Sequence, residues 1–471
     1  MRRTKIICTI GPASNNTEIF FNMAAAGMNL IRLNRSHGTL QEHEAVINLA
    51  KKYRARTNNP LGILMDIRGL KIRLGTMKNK IKISKGDKYI LTTEPVIGDE
   101  YRAGISFDGL LDGIKAGNDI FIDDGQINLR IISVNGQDMN CIVINGGTLE
   151  SGKGINIPGL KLSQVEISSK DKEDILFGIR NEVDYIASSF VHTARDIIGL
   201  KEFIYKNGGE AISIIAKIET REAVENIDSI IEAADGIMVA RGDLGVEMPV
   251  EDVPIVQKAI IKKCNAAGKP VIVATQMLDS MIYNPRPTRA EANDVANAIY
   301  ESADAIMLSG ETAIGGYPLE TLETMCRIAQ AVENSIDYVK ETMNRQNMIV
   351  MSVTNAISSA SCTIAINLGA TAILTPTKSG YTASMISKYR PPCAIIALLF
   401  DSRIFNKLSL IWGVTPLLTD TTRSVEEFLD NSSQAALKSG MVNKGETVVI
   451  TAGGSLNVDR TTDLIKVLKL V

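Results

Sequence analysis

Eight short runs of Ile, Val, Ala, Leu and Met recur along the chain, at 5–10, 29–33, 62–66, 184–189, 212–218, 236–240, 270–274 and 304–308. Each ends in a polar or glycine-containing turn, and the segments between them, such as 41–52, 251–266 and 288–299, carry helical periodicity. A strand with one wet face alternates apolar and polar residues, whereas a near-continuous apolar strand is buried on both faces, as in parallel sheets crossed by helices. Eight such units predict a closed (β/α)8 barrel of the TIM type. Between the third and fourth runs the texture changes. From about 69 to 162 the pattern is two-residue alternation with turn signals (Asp123-Asp124-Gly125, Asn135-Gly136, Asn145-Gly146-Gly147), which predicts a small all-β domain inserted in a barrel loop. After about 337 a helical segment, 351–367, precedes strand-like runs at 371–376, 393–399, 414–419 and 447–452. That order predicts a separate C-terminal α/β domain. The expected division is 1–68 and 165–340 for the barrel, 69–164 for the β insertion and 341–471 for the C-terminal domain.

Composition narrows the class. At roughly 150 residues per domain, 471 residues agree with three domains. An apolar share of 45% with 22% charged residues excludes a disordered chain, and 51 basic against 53 acidic residues leave no global positive field to bind nucleic acid or an anionic membrane. The apolar stretch after Met1-Arg2-Arg3 is shorter than a signal-peptide core, and the run 393–400 is far below the ~20 residues that span a bilayer. Six scattered cysteines without a C-x-x-C pair indicate neither a disulfide framework nor a zinc site, so a reducing cytoplasm is the expected compartment.

In a barrel of this kind the chemistry belongs to the carboxyl ends of the strands, where the loops converge on one mouth. Those ends carry Arg32 and Asn34, Asp66, Ser189, Lys217 and Glu219, Asp243, Thr275 and Ser309, so nearly every strand delivers a polar or charged group. Glu219 and Asp243 would meet across neighbouring strands, and two carboxylates with open positions suit Mg²⁺. Arg32, Arg73 and Lys217 around them would repel one another unless an anion joins them, which points to phosphate and to phosphoryl transfer. The turn at Arg241-Gly242-Asp243 offers backbone N–H groups, and Thr275 a hydroxyl, to a small carboxylate. Taken singly, Lys217-Ile218-Glu219 reads equally well as a rim ion pair, His37 as a packing residue, and Asp66, Thr275 and Ser309 as local caps. Their placement at successive strand ends is what distinguishes the set.

The motifs Lys5-Ile6-Ile7-Cys8-Thr9-Ile10-Gly11-Pro12, Ile31-Arg32-Leu33-Asn34, Ser36-His37-Gly38, Lys217-Ile218-Glu219, Ala240-Arg241-Gly242-Asp243, Ala274-Thr275-Gln276-Met277, Pro287-Thr288-Arg289 and Leu308-Ser309-Gly310-Glu311-Thr312 resemble those of the pyruvate kinase family, bacterial type, along essentially the whole chain. The resemblance implies transfer of phosphoryl from phosphoenolpyruvate to ADP, giving pyruvate and ATP. It makes Glu219 and Asp243 the ligands of Mg²⁺, for which Mn²⁺ can stand in, and Lys217 the cation on the phosphoryl group and the enolate. Arg32 and Arg73 would bind phosphate oxygens, Gly242, Asp243 and Thr275 the substrate carboxylate, and Thr275 and Ser309 would protonate the enolate. Pro12, Asn34, His37 and Arg73 match nucleotide-side positions, and Lys153 a lid lysine that reaches the ADP phosphates. The β insertion is then a lid that excludes water.

Four positions depart from the family pattern: Arg35 for Phe, which would add charge beside the phosphates or disturb the loop; Leu70 for a hinge Pro; Lys71 for Glu; and Ile314 for a common Lys. In the family the Lys form at position 71 goes with independence from K⁺. A fixed ammonium would replace the cation otherwise held by Asn34, Ser36 and Asp66, and no K⁺ requirement is expected. In the C-terminal domain, Thr377-Lys378-Ser379-Gly380-Tyr381-Thr382 opens a helix after a strand, and the resemblance suggests a sugar-phosphate or nucleotide effector there. It also suggests a homotetramer. The competing readings are another Mg²⁺-dependent enzyme of phosphoenolpyruvate or pyruvate, which ADP dependence would separate, and a catalytically weakened regulatory paralogue.

Overall fold

The computed structural model describes residues 2–69, 71–106, 113–160, 167–346, 352–419, 425–453 and 462–471. Leu70 lies outside the described residues. Eight parallel strands close a barrel in sequence order: Lys5–Thr9, Leu30–Asn34, Gly62–Ile67, Tyr185–Ser188, Ser213–Ile218, Gly236–Ala240, Val271–Ala274 and Ala305–Leu308. Every strand matches its expected run to within one residue at each end. Apolarity on both faces has a simple origin. Ile7, Leu30, Leu64, Tyr185, Ile215, Met238 and Ile272 point inward and form one cluster, while Ile6, Ile31, Ile63, Ile214, Ile237 and Val273 point outward against the helices. The helices Leu40–Thr57 and Arg289–Tyr300 start on capping boxes, Thr39 with Glu42 and Thr288 with Glu291.

Among the described residues the inserted segment contains nine short strands between Ile72 and Asn156, seven of them in a second closed barrel around Tyr89, Leu91, Ile120 and Leu129. No helix occurs in it among the described residues. Its entry is at Gly69, which adopts a left-handed φ of 68° and packs so closely that a Cβ would lie 2.7 Å from the Ser189 carbonyl oxygen. Only glycine meets both conditions without strain.

The C-terminal sheet runs Val414–Leu418, Ala394–Leu399, Ala372–Pro376, Thr447–Ala452, Leu464–Lys469. The four expected strands are parallel, and the fifth, Leu464–Lys469, is an antiparallel edge that the hydrophobic pattern does not reveal. An edge strand exposes one side, so its residues need not read as buried, and those of Leu464–Lys469 are half-buried or exposed. This domain is tied to the underside of the main barrel. Leu410 joins the inward barrel cluster, Lys5 Nζ donates to the Val414 carbonyl at 2.8 Å, and the Tyr185 hydroxyl to the Lys407 carbonyl at 2.7 Å. Arg390, 1% exposed, reaches Asp304 Oδ1 at 2.9 Å, Asn265 Oδ1 at 2.8 Å and the Ser302 carbonyl at 2.9 Å. Arg390→Met strips Asp304 of its paired guanidinium while leaving it buried, a loss of about 3–5 kcal/mol. Scanning calorimetry is expected to show the C-terminal domain melting apart from the barrel in this variant, and an unchanged single transition would contradict the assignment.

Candidate functional site

The same two-residue period that packs the barrel interior builds the site. One step above the inward apolar layer, Ile7 is followed by Thr9, Leu30 by Arg32, Leu64 by Asp66, Ala187 by Ser189 and Ile215 by Lys217 and then Glu219. Apolar residues fill the barrel, and the next inward position on each strand opens on the mouth. Asp66 is the hub. Its Oδ2 accepts from Arg32 Nε at 2.9 Å and Nη2 at 2.7 Å, and its Oδ1 from Ser189 Oγ at 3.2 Å, with Lys217 Nζ 3.2 Å away. Arg32 also donates to Thr9 Oγ1 at 3.0 Å, and Lys217 to Ser189 Oγ at 2.6 Å and Glu219 Oε1 at 2.8 Å.

Burial raises the Asp66 carboxyl pKa, but Lys217 and Arg32 outweigh it and hold the group below the ordinary carboxylate range. Burial likewise pulls Lys217 down, and Asp66 and Glu219 more than restore it, so the ammonium is permanently charged. Glu219 is raised by its own burial and by the Asp243 charge, against the pull of Lys217. Its Oε2 accepts the Phe190 N–H at 2.7 Å, and Phe190 stands at a left-handed φ of 52°. Thr275 and Gln276, at φ 68° and 55°, repeat this at the seventh strand end. Arg241 secures that turn by donating to the Thr275 carbonyl at 2.6 Å and to Asp294 at 2.7 Å. Such conformations persist where surrounding bonds over-determine them, and they concentrate at functional sites.

A cleft of about 620 Å³ lies between the mouth and the inserted barrel. The expected residues Arg32, Asn34, Ser36, His37, Asp66, Lys71, Arg73, Lys153, Lys217, Glu219 and Asp243 all line it. Arg73 donates to the Gly152 carbonyl at 2.9 Å, and Lys153 pairs with Asp123 at 2.9 Å. Four further lining residues escaped the sequence reading: Arg68, Phe190, Asp123 and Asp124. Arg68 follows a strand end by one residue, and Asp123-Asp124 was legible only as a turn, because nothing in the sequence says which turn of the insertion faces the mouth.

Pro12, Gly242, Thr275 and Ser309 do not line this cleft. The Gly242 N–H donates to Thr275 Oγ1 at 2.9 Å, so the two groups expected to hold a carboxylate hold each other. The Ser309 hydroxyl is buried without a hydrogen-bond partner among the described residues, and Glu311 Oε2 accepts the Ser309 N–H at 2.6 Å. Lys71 reaches Asp243 Oδ1 at 2.7 Å and lines the same cleft as Asn34, Ser36 and Asp66, the set with which it was expected to act. Glu219 and Asp243 thus open on one cleft, each held by an ammonium, a donor pair that fits a small divalent cation. In the C-terminal domain Thr377 Oγ1 accepts the Gly380 N–H at 3.0 Å, Lys378 and Ser379 are exposed, and Thr382 is turned inward onto the Thr462 hydroxyl at 3.0 Å.

The expectation for Arg35 is corrected. Arg35 is 3% exposed, does not line the cleft, and its guanidinium binds Asp174 Oδ1 at 2.7 and 3.0 Å, with the Phe177 ring 5.6 Å from its centre. It adds no charge to the cleft. The complementary Asp174, on the helix Ser169–Arg180, took its place unseen because the partner lies 139 residues away.

Family models for the pyruvate kinase barrel domain and the pyruvate kinase alpha/beta domain match residues 1–322 and 355–468. The chain belongs to the pyruvate kinase family. It is 46% identical over 469 residues to a pyruvate kinase of Clostridium acetobutylicum, covering 99% of both chains, and 46% identical over 470 residues to that of Bacillus licheniformis, covering 99% of this chain and 80% of the relative. Its fold superposes on the crystal structure of a pyruvate kinase from Cryptosporidium parvum with a TM-score of 0.94 at 35% identity, over 100% of this chain and 96% of that one. The chain is therefore a phosphotransferase, and its family generally needs Mg²⁺ and K⁺. No helix among the described residues is long and apolar enough to cross a membrane.

The Arg35–Asp174 pair yields a direct test. Asp174→Leu is expected to cost about 3–5 kcal/mol, and adding Arg35→Met to recover most of it, because an isosteric apolar pair replaces a buried ion pair at little cost. Urea denaturation measures both, and turnover of the double variant should match the parent.

Proposed function

We propose that the cleft is where the phosphoryl group of phosphoenolpyruvate passes to ADP, giving pyruvate and ATP. The observation that carries this assignment is the charge in one cleft: Arg32, Arg68, Lys71, Arg73, Lys153 and Lys217 against Asp66, Asp123, Asp124, Glu219 and Asp243, a set that an anionic substrate and a divalent cation together would complete. Glu219 and Asp243 hold Mg²⁺, or Mn²⁺ in its place. When bound, the ion neutralises charge on the transferring phosphoryl oxygens. Arg32 and Arg73 bind phosphate oxygens. Lys217, kept charged by Asp66 and Glu219, faces the phosphoryl group and the enolate oxygen that its loss leaves behind. Asp66 is a positioning residue, since it sets both Arg32 and Lys217. Thr275 and the Gly242 N–H turn from each other to the substrate carboxylate, and the Thr275 and Ser309 hydroxyls pass the proton to the enolate. Pro12, Asn34, His37 and Lys153 stand on the nucleotide side, with the inserted barrel closing over them to exclude water.

Lys71 supplies a built-in positive charge, so K⁺ is not required. Lys71 contacts Asp243 in the same cleft that Asn34, Ser36 and Asp66 line. The Thr377, Lys378, Ser379, Gly380 and Thr382 loop is the seat of a sugar-phosphate or nucleotide effector, and a homotetramer working in the cytoplasm completes the proposal, with domain limits near residues 68, 164 and 340.

The assay is pyruvate formation from phosphoenolpyruvate, ADP and Mg²⁺, with K⁺ present or replaced by a bulky organic cation at constant ionic strength. Equal rates are expected for the parent chain, a K⁺ requirement for Lys71→Glu, and a loss of at least about a hundredfold for Lys217→Met. Folded protein inactive in both salts would favour a regulatory paralogue. The raised Glu219 pKa adds a pH dependence: protons compete with the metal below it, so the Mg²⁺ concentration for half-maximal rate should climb with falling pH before the ordinary glutamate range near ~4.3 is reached. A flat Mg²⁺ requirement down to that range would remove Glu219 from the metal site.

A further inference from the structure

A second cavity, of about 290 Å³, opens at the underside of the main barrel, on the side away from the mouth. It lies where the starts of the third, fourth and fifth barrel strands meet the C-terminal helix Ser402–Lys407. Its lining carries four cations, Lys51, Arg54, Arg403 and Lys407, against two carboxylates, Glu182 and Asp184. The pairing is incomplete. Arg54 places Nη2 on Asp184 Oδ2 at 2.5 Å and Nε on the Leu61 carbonyl at 2.8 Å, and Lys51 meets the exposed Glu182 at 3.3 Å. Arg403 pairs with Asp401, its near neighbour, at 2.8 Å. Lys407 Nζ donates to Ser213 Oγ at 3.0 Å, and among the described residues no carboxylate lies within 4.0 Å of it. Burial lowers its pKa and the Arg403 charge lowers it further, against the pull of Asp184, Asp235 and Asp401.

We propose that this cavity binds a small organophosphate. A phosphoryl group brings about two negative charges and three acceptor oxygens, which suits a cavity whose four cations meet only three carboxylates among the described residues, Glu182, Asp184 and Asp401, and leave the Lys407 ammonium without one. A carbon skeleton of a few atoms fits beside it, since the volume stands at the lower edge of the ~300–1,000 Å³ typical of small-ligand sites. Lys407 and Arg403 belong to the C-terminal domain and Arg54 and Lys51 to the barrel, so the bound ester clamps one domain on the other. The site is separate from the mouth and from the Thr377–Thr382 loop.

Isothermal titration of the full chain with glycerol 3-phosphate tests this, with Mg²⁺ and phosphoenolpyruvate present to fill the cleft and Lys378→Ala as the background that silences the loop. One site is expected, weakened at least tenfold by the exposed double change Lys51→Gln/Arg403→Gln and by Lys407→Met, whose fold circular dichroism checks. Absence of binding would overturn the proposal, as would unchanged affinity in the double variant, which cannot fail through misfolding. Inorganic phosphate binding as tightly as the ester would also overturn it, because the organic portion would then make no contact.

Discussion

The Asp66 carboxylate is the interaction on which the site depends. It is buried at the end of the third barrel strand and accepts from Arg32 on the second strand and from Ser189, just past the fourth, with Lys217 of the fifth strand in contact. Four strand ends are thereby locked in register around one negative charge. The desolvation of that charge is offset by two cations, which gain fixed positions in return. Without it, Arg32 and Lys217 would repel one another across an apolar barrel; with it, they face the mouth as a preorganised pair that needs no rearrangement when an anion arrives.

A second layer of charge belongs to the inserted barrel and the segment leading into it. Lys71 holds Asp243, Lys153 holds Asp123, and Asn156 donates to the buried Glu247 at 3.2 Å. These bonds cross or flank the junction between the two barrels. The placement of the inserted barrel and the charge of the cleft are thereby tied together, and Lys71, pinned to Asp243, is the point where they meet.

The fold was legible because it rests on local periodicity. A barrel strand buried on both faces must be apolar throughout, and this is visible in any window of five residues; the antiparallel edge strand Leu464–Lys469, lacking that constraint, was not. The strand-end residues were legible for the same reason, since period two and a strand boundary together specify which side chain looks into the mouth. Arg35 was misread because its environment is set by Asp174, far away in sequence, and a charge beside phosphate-binding motifs looks functional until its partner is known. Thr275 and Ser309 stand directly after strand ends and Gly242 in a helix-opening turn, yet none of them lines the cleft and their hydroxyls and N–H groups are engaged or buried, which depends on backbone turns that no propensity encodes.

What the sequence by itself determined is the set of elements, the barrel, the insertion in its third loop, the C-terminal α/β unit, and the identities of the groups carried to the strand ends. Each follows from short-range pattern, because side-chain direction alternates along a strand whatever it packs against. What only the tertiary structure decided is the pairing: which ammonium meets which carboxylate, which turn of the insertion covers the mouth, and which cations of the underside remain incompletely matched. Charge pairing acts through space between segments a hundred or more residues apart, and its strength depends on burial, so it is settled only when the chain has closed on itself.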